Sequence, residues 1–163
     1  MELYVLRHAI AAEPEGYARD ADRPLTQAGI DKLRKVTRAF DPLGVEVDVI
    51  LSSPYVRARH TAAIAGEALG VQPILDGALS AGATPKDFVG AIKGHAAPDQ
   101  RVMVVGHEPD LSRLVTVLCG GLDGSGVRMK KAGLAKLAVE RLRARECAQL
   151  QWLLWPKHML RMA

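Results

Sequence analysis

The chain has 163 residues, 48% hydrophobic and 25% charged, a single domain's length and a globular balance that exclude wholesale disorder. Two cysteines, Cys119 and Cys147, with no CxxC spacing exclude a disulfide scaffold and a zinc ribbon, and no apolar run approaches the length of a membrane span. The net charge of +4 hides a split, with 13 Lys/Arg against 16 Asp/Glu in residues 1–126 and 9 against 2 in residues 127–163, so the basicity belongs to the last quarter of the chain. Leu3 to Leu6 reads as a buried strand ending in Arg7-His8. Pro14, Gly16, Asp20, Asp22 and Pro24 mark residues 9–24 as loop. Thr26 suits a helix N-cap, and Ile30, Leu33, Val36, Thr37 and Phe40 recur at helical spacing before Asp41-Pro-Leu-Gly44 closes the run.

Val45, Val47 and Val49 to Leu51 predict a second strand. Ser53 suits the cap and Pro54 the first position of a helix reaching about Leu69, with Gly70 as terminator. Val71 to Leu75 reads as a short edge strand weakened by Pro73. Thr84-Pro85 opens a helix to about Lys93, and Arg101 to Val105 is the clearest strand, ending in Gly106-His107. A helix starts at Pro109 or Asp110, and Gly120 to Gly126 reads as a flexible turn. Residues 133–139 and 148–155 predict a final antiparallel pair of strands. Alternating strands and helices point to an α/β fold, a three-layer α/β/α sandwich around a mostly parallel sheet of about six strands.

Ligands of open α/β sheets bind beyond the carboxyl ends of the strands. Arg7-His8, Ser52-Ser53 with Arg57 one turn later, and Gly106-His107 all fall at that edge. Guanidinium groups match phosphate oxygens and stay charged, and imidazole serves as nucleophile or charge stabiliser near neutrality. Two arginines and two histidines without a carboxylate pair suit a phosphoryl group rather than a divalent metal. Ser52 is a candidate phosphate donor, with a plain turn role as the alternative. The Gly120 to Gly126 stretch has neither a Gly-Lys-Ser/Thr run nor a preceding strand, so no P-loop is expected.

Leu-Arg-His at 6–8, Ser-Ser-Pro-Tyr-Val-Arg-Ala-Arg-His-Thr-Ala at 52–62 and Gly-His-Glu-Pro at 106–109 resemble the signature segments of the histidine phosphatase (phosphoglycerate mutase-like) superfamily. Arg23-Pro-Leu-Thr26 with Gly29 is similar to a further family element. The short length, Gly-His-Glu-Pro-Asp-Leu-Ser and Trp152-Leu-Leu-Trp-Pro156 most resemble its SixA-type phosphohistidine phosphatases. The resemblance implies one domain over residues 1–163 without a large cap insertion. It implies His8 as a transiently phosphorylated nucleophile, Arg7 and Arg57 as phosphoryl ligands, and His107 as a further phosphoryl contact. It implies no cofactor and no metal.

Two departures qualify it. Ala9 stands where the family has glycine after the histidine, and residues 79–84 hold no carboxylate to act as general acid. Asp76 and Asp87 flank that stretch, and Glu13, Asp20, Asp22 and Glu108 are other candidates. A phosphoramidate needs little help leaving, so the missing acid and cap favour phosphohistidine on a protein as substrate. The competing readings are a phosphatase for small phosphomonoesters or nucleotides, and a module that binds phosphorylated partners without turnover. A cytoplasmic location is expected from the lack of a secretory signal pattern. Neither nucleic acid nor membrane is an expected partner, since no aromatic platform accompanies the basic segment and no apolar run is long enough to span a bilayer.

Overall fold

The computed structural model describes residues 1–121 and 126–163. Among these, six strands form one sheet: β1 (Glu2–Arg7), β2 (Val49–Ser52), β3 (Ile74–Leu75), β4 (Arg101–Gly106), β5 (Leu134–Val139) and β6 (Ala148–Leu154). Their order is β3-β2-β4-β1-β5-β6. The pairs β3–β2, β2–β4 and β4–β1 are parallel, whereas β5 runs antiparallel to both β1 and β6. Only β5 therefore points the other way.

Side chains alternate across the sheet at the period of two that strand geometry imposes. Leu3, Val5, Leu51, Val102 and Val104 face one core with Phe88, Ile92, Leu111, Leu114 and Leu118. These last belong to α3 (Pro85–His95) and α4 (Asp110–Gly120). Tyr4, Leu6, Ile50, Met103 and Val105 face the other core, with Val36, Ala58, Ala62 and Ala65 from α1 (Gln27–Thr37) and α2 (Val56–Leu69). Burying each Val, Leu or Ile contributes about 1.5–3 kcal/mol relative to exposure, so the near-continuous apolar runs of β1 and β4 decide the sheet's centre. The result is the three-layer α/β/α sandwich expected.

Thr26 caps α1, its hydroxyl accepting from the Gly29 N–H. Gly29 is needed there because a Cβ would stand 2.3 Å from the Ile10 carbonyl oxygen. Thr84 and Asp87 form a reciprocal capping box on α3, with Pro85 in its first turn. Four boundaries differ from expectation. Val45 and Val47 are buried in the connection before β2 rather than in it. Pro73 leaves β3 only two residues. α2 starts at Val56, not Pro54. A four-residue helix α5 (Pro156–Met159) follows β6, too short to show a periodicity. The expected Gly120 to Gly126 turn falls mostly on residues 122–125, outside the described residues. None of the described helices is long and apolar enough to cross a membrane.

Candidate active site

Arg7 ends β1, and His8 leaves it with its N–H donated to the Gly106 carbonyl at the end of β4, 3.1 Å away. The Ala132 N–H lies 3.1 Å from both the Arg7 and His8 carbonyls. Residue 132 makes that approach with φ of 57°, the one positive φ among the described non-glycine residues. His8 is 6% exposed. Its Nδ1 lies 2.8 Å from the Ala9 carbonyl oxygen. A carbonyl only accepts, so Nδ1 carries the hydrogen and the neutral ring keeps a lone pair on Nε2. Burial pushes the His8 pKa down to about 3, opposed by the Ala9 carbonyl and aided by His107, Arg57 and Arg7. Ala9 in place of glycine is accommodated: its φ is not positive, and its methyl packs with Leu25, Leu33 and Ala132. The Thr61 hydroxyl ties α2 to this turn, accepting from the Ala9 N–H at 3.0 Å and donating to the Arg57 carbonyl at 2.7 Å.

His107 follows β4, and its ring centroid lies 5.3 Å from that of His8 and 5.0 Å from that of Tyr55. Its Nε2 is 2.8 Å from the Ser53 hydroxyl, which can donate to the neutral ring or accept from the protonated one. Burial and then Arg57 bring the His107 pKa down to about 4, with Asp20 opposing. The Arg57 guanidinium donates to the Asp20 carbonyl at 2.6 Å and to the Asp20 carboxylate at 2.7 Å. Arg7 donates from Nη1 to the Met129 carbonyl at 2.9 Å. Arg7 Nε, Arg57 Nε and His107 Nδ1 are buried with no hydrogen-bond partner among the described residues. Arg23 Nε and Arg143 Nε are in the same state, so it is the clustering of the first three around His8 that marks this edge. The arrangement presents one bare imidazole nitrogen among two permanent cations and a protonatable ring, a set whose chemistry suits a phosphoryl group.

Residues 3–80 match the family model of the Histidine phosphatase superfamily (branch 1). Phosphohistidine phosphatase SixA of Escherichia coli is 30% identical over 74% of this chain and 76% of its own. The chain belongs to the histidine phosphatase superfamily. Within that superfamily it is similar to the SixA proteins. An uncharacterized protein of Picosynechococcus is 38% identical over 98% of this chain and 99% of its own. The structure of the protein histidine phosphatase SixA complexed with tungstate shares the fold, with a TM-score of 0.80 at 23% identity over 98% of this chain and 99% of that one. Phosphatase activity, a hydrolase's, is what this membership supports.

Of the site residues expected for a histidine phosphatase, Arg7, His8, Arg57 and His107 come together at one sheet edge. Ser52 does not present its hydroxyl as expected: it ends β2 fully buried and donates to the Ser53 carbonyl at 3.0 Å. The serine facing the histidines is Ser53, and this is also why it does not cap α2. Its oxygen accepts from the Tyr55 N–H at 3.2 Å in a local turn, and the helix begins after that turn. Asp20 was one carboxylate among several in the sequence, and nothing there distinguished it. In the fold it binds Arg57 and lies 2.9 Å from Arg23 Nε, an ion pair without hydrogen-bond alignment. Burial raises its pKa, but Arg57 and Arg23 outweigh that and hold the carboxyl below its usual range. Glu108 accepts from the Ser112 hydroxyl at 2.6 Å. Asp87 is taken up by the α3 cap, and Asp76 by His95 and the Ala78 N–H.

Proposed function

We propose that the protein is a phosphatase that works through a phosphorylated His8, with phosphohistidine in a protein as its substrate. The observation that carries this is the bare Nε2 of a buried, neutral His8 beside Arg7, Arg57 and His107, three of whose ring or guanidinium nitrogens are buried and unpartnered. Nε2 attacks phosphorus and the substrate's P–N bond breaks; the leaving imidazole, already protonated on its other ring nitrogen, departs neutral, and His8 keeps its Nδ1 hydrogen on the Ala9 carbonyl. Water then attacks the phosphoryl group on His8, the P–Nε2 bond breaks, and inorganic phosphate leaves with Nε2 free again. Arg7 and Arg57 neutralise the equatorial oxygens, and His107 donates through Nδ1 once the phosphoryl charge makes its protonation favourable.

Protein phosphohistidine is favoured over a phosphomonoester because the 79–84 stretch supplies no acid for an alkoxide. Between α2 and β4 the described chain holds only β3, a short turn of 3-10 helix at Gly77–Leu79 and α3, which packs on the sheet. This supports reading residues 1–163 as one domain without a large cap insertion. E. coli SixA carries the same substrate in its name. Guanidinium groups have no lone pair for a metal and repel one, so the reaction proceeds without a divalent cation.

The test is rapid trapping of phosphoenzyme, without acid, from a phosphohistidine protein. Wild type forms it and turns over with EDTA present, whereas His8→Ala does neither. Turnover by His8→Ala, or loss of wild-type activity on chelation, would defeat the mechanism. Faster hydrolysis of sugar phosphates than of phosphohistidine would replace the substrate class, and binding without turnover would make the protein a recognition module.

A further inference from the structure

Because β5 runs against its neighbours, its N-terminal end lies at the site edge, and β6 returns to that same edge. Leu6 pairs with Leu134, and Leu134 pairs with Leu154. Trp155 therefore stands two strands from the end of β1, about 10 Å at the usual spacing. The loop entering β5 is the one that holds Arg7: Met129 accepts from its guanidinium, and Gly133 accepts from its N–H at 3.0 Å. Lys130, the next residue after Met129, extends its ammonium over the Trp155 ring, 5.2 Å from the centroid. Lys157 in α5 does the same at 5.0 Å, and the His158 ring stacks on the indole at 6.2 Å. Cation–π contact restrains both long side chains without neutralising them.

The charge around this cluster is one-sided. Lys130 and Lys157 have no carboxylate partner among the described residues. Lys136, by contrast, is paired with Glu2 at 2.9 Å. The two carboxylates of residues 127–163, Glu140 and Glu146, lie in the connection from β5 to β6, at the opposite end of the hairpin. Nearer Arg7, burial and then the opposing charges of Glu108 and Arg128 act on its guanidinium, so the one-sided charge belongs to the Trp155 cluster itself. A positive surface thus begins one residue from Met129, whose carbonyl holds Arg7, although residues 1–126 are net acidic.

We propose that Lys130 and Lys157, held over Trp155, form a docking surface for acidic side chains that flank the phosphorylated residue of a protein substrate. This deepens the phosphohistidine reading and rests on it. The surface selects among phosphoproteins, while Arg7, His8, Arg57 and His107 act on the phosphoryl group common to all of them. Two exposed ion pairs at modest strength give a preference of about tenfold that weakens as salt screens them.

The probes are two phosphohistidine peptides of equal length, one flanked by glutamates and one by lysines, with N-phosphoimidazole as the small reference substrate. Wild type is expected to show a kcat/KM about tenfold higher on the glutamate peptide, shrinking toward parity in high salt. Relative to the phosphoimidazole rate, the Lys130→Glu/Lys157→Glu double variant reverses that preference, and Trp155→Leu weakens it. Equal rates on both peptides in wild type, or an unchanged preference in the double variant, would overturn the proposal. Peptide affinity is measured by anisotropy on His8→Asn, which cannot form a phosphoenzyme. A glutamate preference there without wild-type turnover would retain the docking surface while removing the catalytic reading. Tighter binding of a single-stranded oligonucleotide than of the glutamate peptide, lost in the double variant, would assign the surface to nucleic acid instead.

Discussion

His8 and His107 are held neutral in the fold, and that makes the protein sensitive to acid. Their pKa values, about 3 and about 4, lie below the ordinary imidazole value of 6.5. Between those limits the unfolded chain binds protons that the folded chain refuses, so stability rises with pH there and levels off above it. Urea midpoints are therefore expected to fall as pH drops from 6.5 toward 4, and to change little from 7 to 8. In His8→Asn the fall should be shallower, and an identical pH dependence in the two proteins would contradict the neutral, buried His8. The same two histidines were legible in the sequence, because each ends an apolar strand run. Ser53 was not: its Ser-Pro context is that of a helix cap. Only the arrival of His107, 54 residues later in the chain and 2.8 Å away in space, gives the hydroxyl its partner.

The elements supply a second kind of positioning. Ser112 in the first turn of α4 accepts from the Met129 N–H at 3.2 Å and donates to Glu108 at 2.6 Å. Met129 in turn accepts from Arg7 at 2.9 Å. Helix α4 thereby sets where one arginine points without touching it. Ser112→Ala leaves the buried Met129 N–H without its acceptor, a loss worth about 1–3 kcal/mol. The expected kinetic result is a KM raised several-fold with a smaller change in kcat, because the role proposed for Arg7 is to bind the phosphoryl group before and during transfer. Steady-state kinetics on phosphoimidazole would check it, and an unchanged KM would mean that Arg7 is placed by β1 alone. Helices with local signals, such as α1 with Thr26 and α3 with Thr84-Pro85-Lys-Asp87, could be read from the chain. Loop residues 9–24 carried only turn chemistry. Their function as the strap that brings Asp20 to Arg57 depends on closure between the Ile10 carbonyl and Thr26 N–H at 3.0 Å, a long-range contact without a local pattern.

Over the whole molecule, the two ends of the sheet have separate tasks. Arg7, His8, Arg57 and His107, the proposed phosphoryl ligands, lie at or beyond the carboxyl ends of β1, β2 and β4, as strand direction dictates. The connection between β5 and β6 lies at the other end, beside Met1, whose carbonyl accepts from the Val139 N–H at 2.9 Å. Inserting two to four Gly-Ser residues between Arg143 and Ala144 is expected to leave kcat and KM unchanged while lowering thermal stability slightly, since loop closure costs grow slowly with length. Enzyme assays and a melting curve on the same preparation would check this, and a lost activity in a folded protein would show that the far end reaches the site. The reversed direction of β5 has one further consequence. Arg7, His8, Arg57 and His107 all stand on the parallel block that ends at Gly106-His107, whereas Trp155 and Lys157 arrive on a terminal hairpin beside β1. On the proposed roles, exchange of residues 155–163 would alter the outer surface at Trp155 and Lys157 while leaving every one of the four residues around His8 in place.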